Sequence, residues 1–132
     1  MAELSSAKLF QGLPEREMKQ IEREFKEVRH QAGNEIMVLG KSGVGFMVIA
    51  DGEVEVTLPD GRKRTMGPGD SFGEMSLLDH EGRSASVMAK TDVRLYSMPE
   101  WSFKSFLTSH PEVSYRLLQS LSRRVRRAES GE

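Results

Sequence analysis

Residues 67–87 read GPGDSFGEMSLLDHEGRSASV and hold four of the 12 glycines of this 132-residue chain. Between its glycines, the segment from Glu74 to Leu78 is long enough for about one helical turn, and Gly73 stands at its start. The first N–H groups of a helical turn lack partners within the turn and can bind an anion. The stretch therefore predicts an anion-binding loop.

Arg83 and the small residues after it fit a phosphate. An arginine can make a two-pronged, charge-assisted contact with phosphate, and the N–H groups of Ser84 and Ala85 with the Ser84 hydroxyl can complete the cradle. Glu74 fits such a site only if its carboxylate accepts a hydrogen bond from a sugar hydroxyl. Each residue also has a simpler alternative role. Arg83 can form a surface ion pair with an acidic neighbour. Glu74 can be a residue at the start of a helix that the helix dipole favours.

Short apolar stretches on both sides of this loop predict strands. Turn signals, Asp51-Gly52 and Pro59-Asp60-Gly61, separate or end them. Several short strands with tight turns are typical of a small antiparallel sandwich or barrel. The predicted strand regions are Ile36–Leu39, Phe46–Ala50, Val54–Leu58 and Val87–Met98.

Helical patterns flank the strands. From Pro14 to about Val28, apolar residues recur at three and four, which predicts an amphipathic helix. After Pro99 a first apolar segment precedes Pro111, where a second helix can begin. We expect one domain over residues 1–132, with an N-terminal helical segment over about 4–29, a β-roll over about 33–98 and C-terminal helices over about 99–128.

Gly69-Asp70, Phe72 to Leu77 and Arg83 to Val87, in this order and spacing, closely resemble the phosphate-binding cassette of cyclic-nucleotide-binding domains. That family includes bacterial catabolite-activator regulators, protein kinase A regulatory subunits and cyclic-nucleotide-gated channels. The resemblance covers about residues 4–128. It implies a mainly β fold: an antiparallel β-roll (a double-stranded β-helix, jelly-roll-like) with N-terminal helices and C-terminal lid helices.

The resemblance also implies roles for individual residues. Arg83 would bind the cyclic phosphate and Glu74 the ribose 2′-hydroxyl. A C-terminal helix would cap the base, with Leu118, Leu121 or Arg124 as the capping residue. The implied ligand-binding residues are Phe72, Gly73, Glu74, Met75, Ser76, Arg83, Ser84 and Ala85.

The resemblance carries an expectation about the nucleotide. In the family, a threonine directly after the arginine is often associated with cyclic GMP. This chain has Ser84 at that position, which favours cyclic AMP over cyclic GMP. Many members have proline and threonine where this chain has Gly82 and Ser86. Glycine gives the loop that presents Arg83 more conformational freedom.

Composition excludes several other classes of function. The chain has no cysteine, so thiolate metal sites and thiol nucleophiles are excluded, and its three histidines lack ligand spacing and are expected to be ordinary surface or loop residues. We therefore expect no metal and no cofactor besides the cyclic nucleotide ligand. No apolar run is long enough to span a bilayer, which favours a cytoplasmic location without membrane contact.

We expect no enzyme activity and no nucleic-acid binding by this chain alone. Gly69-Asp70-Ser71 resembles a hydrolase nucleophile block, but the downstream Asp-x-x-His of that family and a Gly-x-Ser-x-Gly elbow are both absent. Net charge is −1, and the C-terminal arginines suit the end of a helix dipole. The arginines in question are Arg116, Arg123, Arg124, Arg126 and Arg127.

These expectations converge on a sensor. Nucleotide would order the Gly73–Ala85 loop and draw the C-terminal helix over the base, and the helix would act on an effector domain, a protein partner or a second copy of the chain. The alternative is a protein interaction module that keeps the fold without the ligand. A pocket filled by protein side chains would favour that alternative.

Overall fold

The computed structural model describes residues 2–37, 45–74 and 85–130. The helices within these ranges are α1 (Ala2–Ser5), α2 (Glu15–Glu22), α3 (Glu100–Ser109) and α4 (Pro111–Glu129). The strands are β1 (Lys26–His30), β2 (Glu35–Met37), β3 (Gly45–Asp51), β4 (Val54–Thr57), β5 (Lys63–Met66), β6 (Ser71–Phe72), β7 (Ser86–Ala89) and β8 (Val93–Pro99).

The strands form two four-stranded antiparallel sheets, ordered β1-β8-β3-β6 and β2-β7-β4-β5. An apolar core that contains Val54, Val56, Val87 and Leu95 draws on both sheets. The expected mainly β fold with flanking helices is confirmed. Both expected turns are present, since Gly52 links β3 to β4 and Gly61 links β4 to β5, each at positive φ.

Strand β3 is buried on both faces. Residues 45–50 are all buried, and their side chains alternate between two cores because successive residues of a strand point to opposite faces. Phe46 and Val48 join the helical core, whereas Met47 and Ile49 join the core of the two sheets. The rings of Phe25 and Phe103 flank Phe46, with centroids 6.3 and 5.4 Å away. Both layers of the domain thus pack on one strand.

The N-terminal helix is shorter than its apolar pattern predicts. Helix α2 ends at Glu22, and the residues around Val28 form β1, which pairs with β8 over five positions. The predicted helix to Val28, and the helical segment to residue 29, are therefore wrong at their C-terminal ends. Hydrogen bonding to β8 outweighs a local periodicity that fitted a helix.

His110 departs from its expected place on the surface. It lies between α3 and α4, is only 5% exposed, and packs its ring 5.0 Å from that of Phe106. Its Nδ1 is 2.9 Å from Oε2 of Glu17 on α2. The expectation of a surface or loop histidine is correct for the loop position of His110 but wrong for its exposure, because its ring fills the junction of three helices.

Metal-binding clusters and membrane-spanning helices are absent from the described residues. Among the described residues, no group of three or more acidic, histidine or cysteine side chains is placed to hold a metal ion. None of the helices in the described ranges has both the length and the apolar character needed to cross a membrane.

Gly45 offers a test of this packing. A Cβ at Gly45 would overlap the backbone carbonyl of Met98 on β8, so we expect Gly45→Ala to lower the free energy of unfolding by about 3 kcal/mol. Gly67→Ala is the matched control, because a Cβ there meets no atom within 4 Å. Urea unfolding measures both, and equal stabilities of the two variants would contradict this packing.

Candidate ligand-binding site

The turn before β6 is tied to β3 and to the N-terminal segment. The N–H of Gly69 donates to the Ile49 carbonyl, and the Ile49 N–H donates to the Asp70 carbonyl, both at 2.9 Å. Asp70 accepts the Gly67 N–H at Oδ2 (3.0 Å) and the Lys8 ammonium at Oδ1 (2.6 Å). Asp70 therefore serves to shape the turn, and Gly69, at φ +92°, takes a conformation that favours glycine.

Strand β6 carries the chain from this turn to Glu74. Phe72 pairs with Met47 of β3 and is buried in the core between the sheets. Gly73 follows at φ +100°, which turns the chain sharply out of the strand. The next residue, Glu74, is only 2% exposed. The hydrogen bonds of the turn and the pairing of β6 with β3 thus hold the Glu74 carboxylate in the interior.

Arg124 of α4 pairs with this carboxylate. Its Nη1 donates to Glu74 Oε1 at 2.7 Å, and its side chain is 27% exposed. Val113 and Leu117 bury the first half of α4, and Arg124 lies seven residues, about two turns, beyond Leu117 on the same side. A buried carboxylate needs such a charged partner to offset the loss of water. Within the described residues, Glu74 Oε2 has no hydrogen-bond partner.

The guanidinium groups of Arg64 and Arg127 add positive charge to the region of Arg124. Arg64 lies on β5, and the pKa of its guanidinium is lowered, first by partial burial and then by the charges of Arg124 and Arg127. Glu74 acts in the opposite direction on this pKa. Charges on β5 and α4 therefore influence one another in this region, and within the described residues Arg124 is the arginine that contacts Glu74.

The cassette residues that the structure describes lie close to the sheets. Phe72, Gly73 and Glu74 are consecutive at the end of β6, and Ala85 is buried in the core just before β7. The other four candidates, Met75, Ser76, Arg83 and Ser84, lie outside the described residues.

The three candidate capping residues occupy different positions on α4. Arg124 reaches Glu74, Leu121 is half-buried and Leu118 is 64% exposed. The geometry thus brings Arg124 to the candidate site and leaves Leu118 on the open side of the helix.

Sequence reasoning missed the positions of two arginines. Arg64 lies on β5, a short strand at the edge of its sheet that no apolar pattern indicates. Arg116, interpreted as a cation near a helix end, donates from Nη1 to the carbonyls of Leu9 and Gln11, at 3.0 and 2.8 Å. Only the register of β5 against β4 and the fold of the N-terminal segment could have shown these positions.

Comparison with known proteins assigns the family. The profile of the cyclic nucleotide-binding domain matches residues 27–110. This chain belongs to the cyclic nucleotide-binding domain family. The predicted membership of this family is thereby confirmed.

Several relatives of this cyclic nucleotide-binding domain are regulators. It is 33% identical over 129 residues to the CRP-like cAMP-activated global transcriptional regulator of Mycobacterium tuberculosis, covering 94% of this chain and 58% of the relative. It is 33% identical over 131 residues to the cyclic AMP receptor protein of Thermus thermophilus, covering 96% of this chain and 61% of that protein. The chain thus spans about three-fifths of the length of these relatives.

Solved structures support the same fold. The Thermus thermophilus catabolite activator protein matches with a TM-score of 0.82 and 34% identity, over 93% of this chain and 60% of that one. The regulatory domain of Toxoplasma gondii protein kinase A, solved with cAMP, matches with a TM-score of 0.79 over 92% of this chain and 48% of that one. Because its identity is 23%, the second match supports the fold alone.

The Glu74–Arg124 pair predicts a stability difference between neighbouring arginines. We expect Arg124→Gln to lower the free energy of unfolding by about 2 kcal/mol, because it leaves a buried carboxylate without its cation. The matched control is Arg123→Gln, which removes the same charge from an exposed side chain and should change stability by less than about 0.5 kcal/mol. Urea unfolding at neutral pH measures both. Equal losses in the two variants would show that the pair contributes nothing specific.

Proposed function

We propose that this domain is a cyclic-nucleotide sensor in which Arg83 binds the cyclic phosphate and Glu74 accepts a hydrogen bond from the ribose 2′-hydroxyl. Phe72, Gly73, Met75, Ser76, Ser84 and Ala85 complete the pocket. Cyclic AMP is the preferred ligand, and the domain acts through binding rather than catalysis.

The burial of Glu74 is the observation that carries this proposal. An acidic side chain is rarely buried unless it is paired, and this one uses only Oε1 for its partner Arg124. Within the described residues, Oε2 remains available as an acceptor. A ribose hydroxyl is a neutral donor that can satisfy it without adding negative charge beside the carboxylate.

The relatives favour cyclic AMP among the cyclic nucleotides. The Mycobacterium tuberculosis regulator is named as cAMP-activated and the Thermus thermophilus protein as a cyclic AMP receptor, each at 33% identity. Ser84, in place of the threonine often associated with cyclic GMP, favours the same choice.

A titration tests ligand binding directly. Isothermal titration of cyclic AMP and cyclic GMP into the wild type should give binding heat, with the tighter affinity for cyclic AMP. Arg83→Ala should weaken binding at least a hundredfold, because removal of the guanidinium leaves the phosphate without its charged partner. Arg23→Ala is the control, since Arg23 is exposed at the end of α2. A folded wild type that gives no heat with either nucleotide would contradict the proposal.

The C-terminal half of α4 is the element that couples ligand to output. Val113 and Leu117 fix the first half of the helix in the core, whereas residues 122–130 are exposed except Arg124. Arg124 therefore connects the most exposed part of α4 to Glu74. A ligand that binds Glu74 changes this contact. It can shift the equilibrium between two positions of the helix, by an amount set by the difference in its affinity for the two states.

A truncation can separate this coupling from folding. A chain that ends at Ser122 keeps Val113 and Leu117 but loses Arg124. We expect it to remain folded and to bind cyclic AMP about tenfold more weakly, because the lid residues no longer contact the pocket. Circular dichroism checks the fold and calorimetric titration the affinity. An unchanged affinity would show that α4 is no lid.

The open side of α4 is the output surface. Tyr115, Leu118 and Val125 are exposed apolar residues on this helix, spaced by three and seven. We infer that an effector domain or a second copy of the chain covers them. The longer relatives are consistent with an effector, because they extend well beyond the part that this chain matches. With a net charge of −1, the chain has no overall positive field that would attract nucleic acid.

One observation favours the interaction-module alternative. Arg124 already occupies Oε1 of the pocket acid, so a protein side chain fills part of the space that the ribose would use. In that case α4 would be held permanently against the sheets. The titration above distinguishes the two functions, since an interaction module gives no heat with either nucleotide.

A further inference from the structure

Arg116 of α4 contacts the start of the chain. Its Nη1 donates to the carbonyl oxygens of Leu9 and Gln11, at 3.0 and 2.8 Å. Its Nε lies 3.6 Å from Oε1 of Glu112, one turn earlier on the same helix. The side chain is 26% exposed, which limits the screening of its charge-assisted hydrogen bonds by water. Arg116 thus holds the N-terminal segment against α4.

The same N-terminal segment contacts the turn before β6. The N–H of Lys8 donates to the Gly69 carbonyl at 3.1 Å. The Lys8 ammonium also pairs with Asp70, but its side chain is 74% exposed, so this ion pair adds little. Phe10 follows two residues later and is fully buried in the helical core. The segment is therefore packed in place between its contacts with the turn and with α4, and it can transmit a displacement of one to the other.

These contacts close a ring between α4 and Glu74. Arg124 bonds Glu74 directly at 2.7 Å. Arg116, eight residues and about 12 Å earlier on the helix, connects to the same region through the bond from Lys8 to Gly69. The Glu74 carboxylate is thus fixed relative to α4 by a direct contact and by an indirect one.

We propose that Arg116 is a positioning residue for the nucleotide site. By holding the N-terminal segment it fixes the turn before β6, and the turn sets the orientation of the Glu74 carboxylate. A displaced carboxylate makes a weaker bond to the ribose 2′-hydroxyl, because hydrogen bonds depend steeply on geometry. The cyclic phosphate is bound by Arg83 and does not use this carboxylate. Arg116 therefore acts on the recognition of the ribose, and this role rests on the proposed function.

Arg116→Gln tests the positioning role. We expect it to weaken cyclic AMP binding about fivefold in calorimetric titration and to leave the affinity for 2′-deoxy cyclic AMP nearly unchanged, because the deoxy ligand lacks the hydroxyl that Glu74 accepts. Arg116→Lys keeps a cation that can bond one carbonyl, so it should restore part of the affinity.

Glu112→Gln is the matched control. It removes the ion pair at Nε of Arg116 and keeps both bonds to the backbone carbonyls. We expect wild-type affinities for both ligands, and thermal unfolding checks the fold of every variant. An equal loss of affinity for the two ligands in Arg116→Gln would show a general structural effect and would overturn the positioning role.

Amide hydrogen exchange of the ligand-free protein separates this role from the proposed function. The N–H groups of Gly69 and Ile49 form the bonds that hold the turn to β3. Their exchange should be faster in Arg116→Gln than in the wild type, and unchanged in Glu112→Gln. Faster exchange in a protein whose wild type binds no nucleotide would keep Arg116 as the residue that positions the turn and would contradict only the proposed function. Unchanged exchange in Arg116→Gln would overturn the positioning role.

Discussion

The burial of β3 on both faces is the constraint on which the rest of the domain depends. A strand whose alternate side chains enter two cores must be covered by a sheet on one side and by helices on the other. Phe46 and Val48 hold the helical layer, and Met47 and Ile49 hold the second sheet. One segment of six buried residues therefore couples the roll to the helices that flank it.

The candidate site follows from the same strand. Turn residues bonded to Ile49 direct β6 alongside β3, and only Gly73 separates the end of β6 from Glu74. The helical layer on the other face of β3 anchors α4, which places Arg124 against this carboxylate. Arg116 adds a tie between α4 and the N-terminal segment, and Lys8 ties that segment back to Asp70. Glu74 and α4 are thus connected directly through Arg124 and indirectly through the N-terminal segment.

Much of the architecture could be predicted from local patterns, because apolar alternation and turn residues report on strands directly. The glycine turns at Gly52 and Gly61 and the helix that starts at Pro111 are where the sequence indicates. Predictions failed where distant pairing decides the outcome: Val28 joins a sheet because β8 lies beside it, and His110 is buried because three helices meet there. The roles of Arg83 and Glu74 remain predictions drawn from the family resemblance.

A double-mutant cycle with the ligand tests the proposed contact between Glu74 and the ribose. It compares the affinities of cyclic AMP and 2′-deoxy cyclic AMP for the wild type and for Glu74→Ala, measured by calorimetric titration. We predict that the wild type binds the deoxy ligand about tenfold more weakly and that Glu74→Ala binds the two ligands equally. The same discrimination in both proteins would show that another group recognises the hydroxyl and would contradict the account.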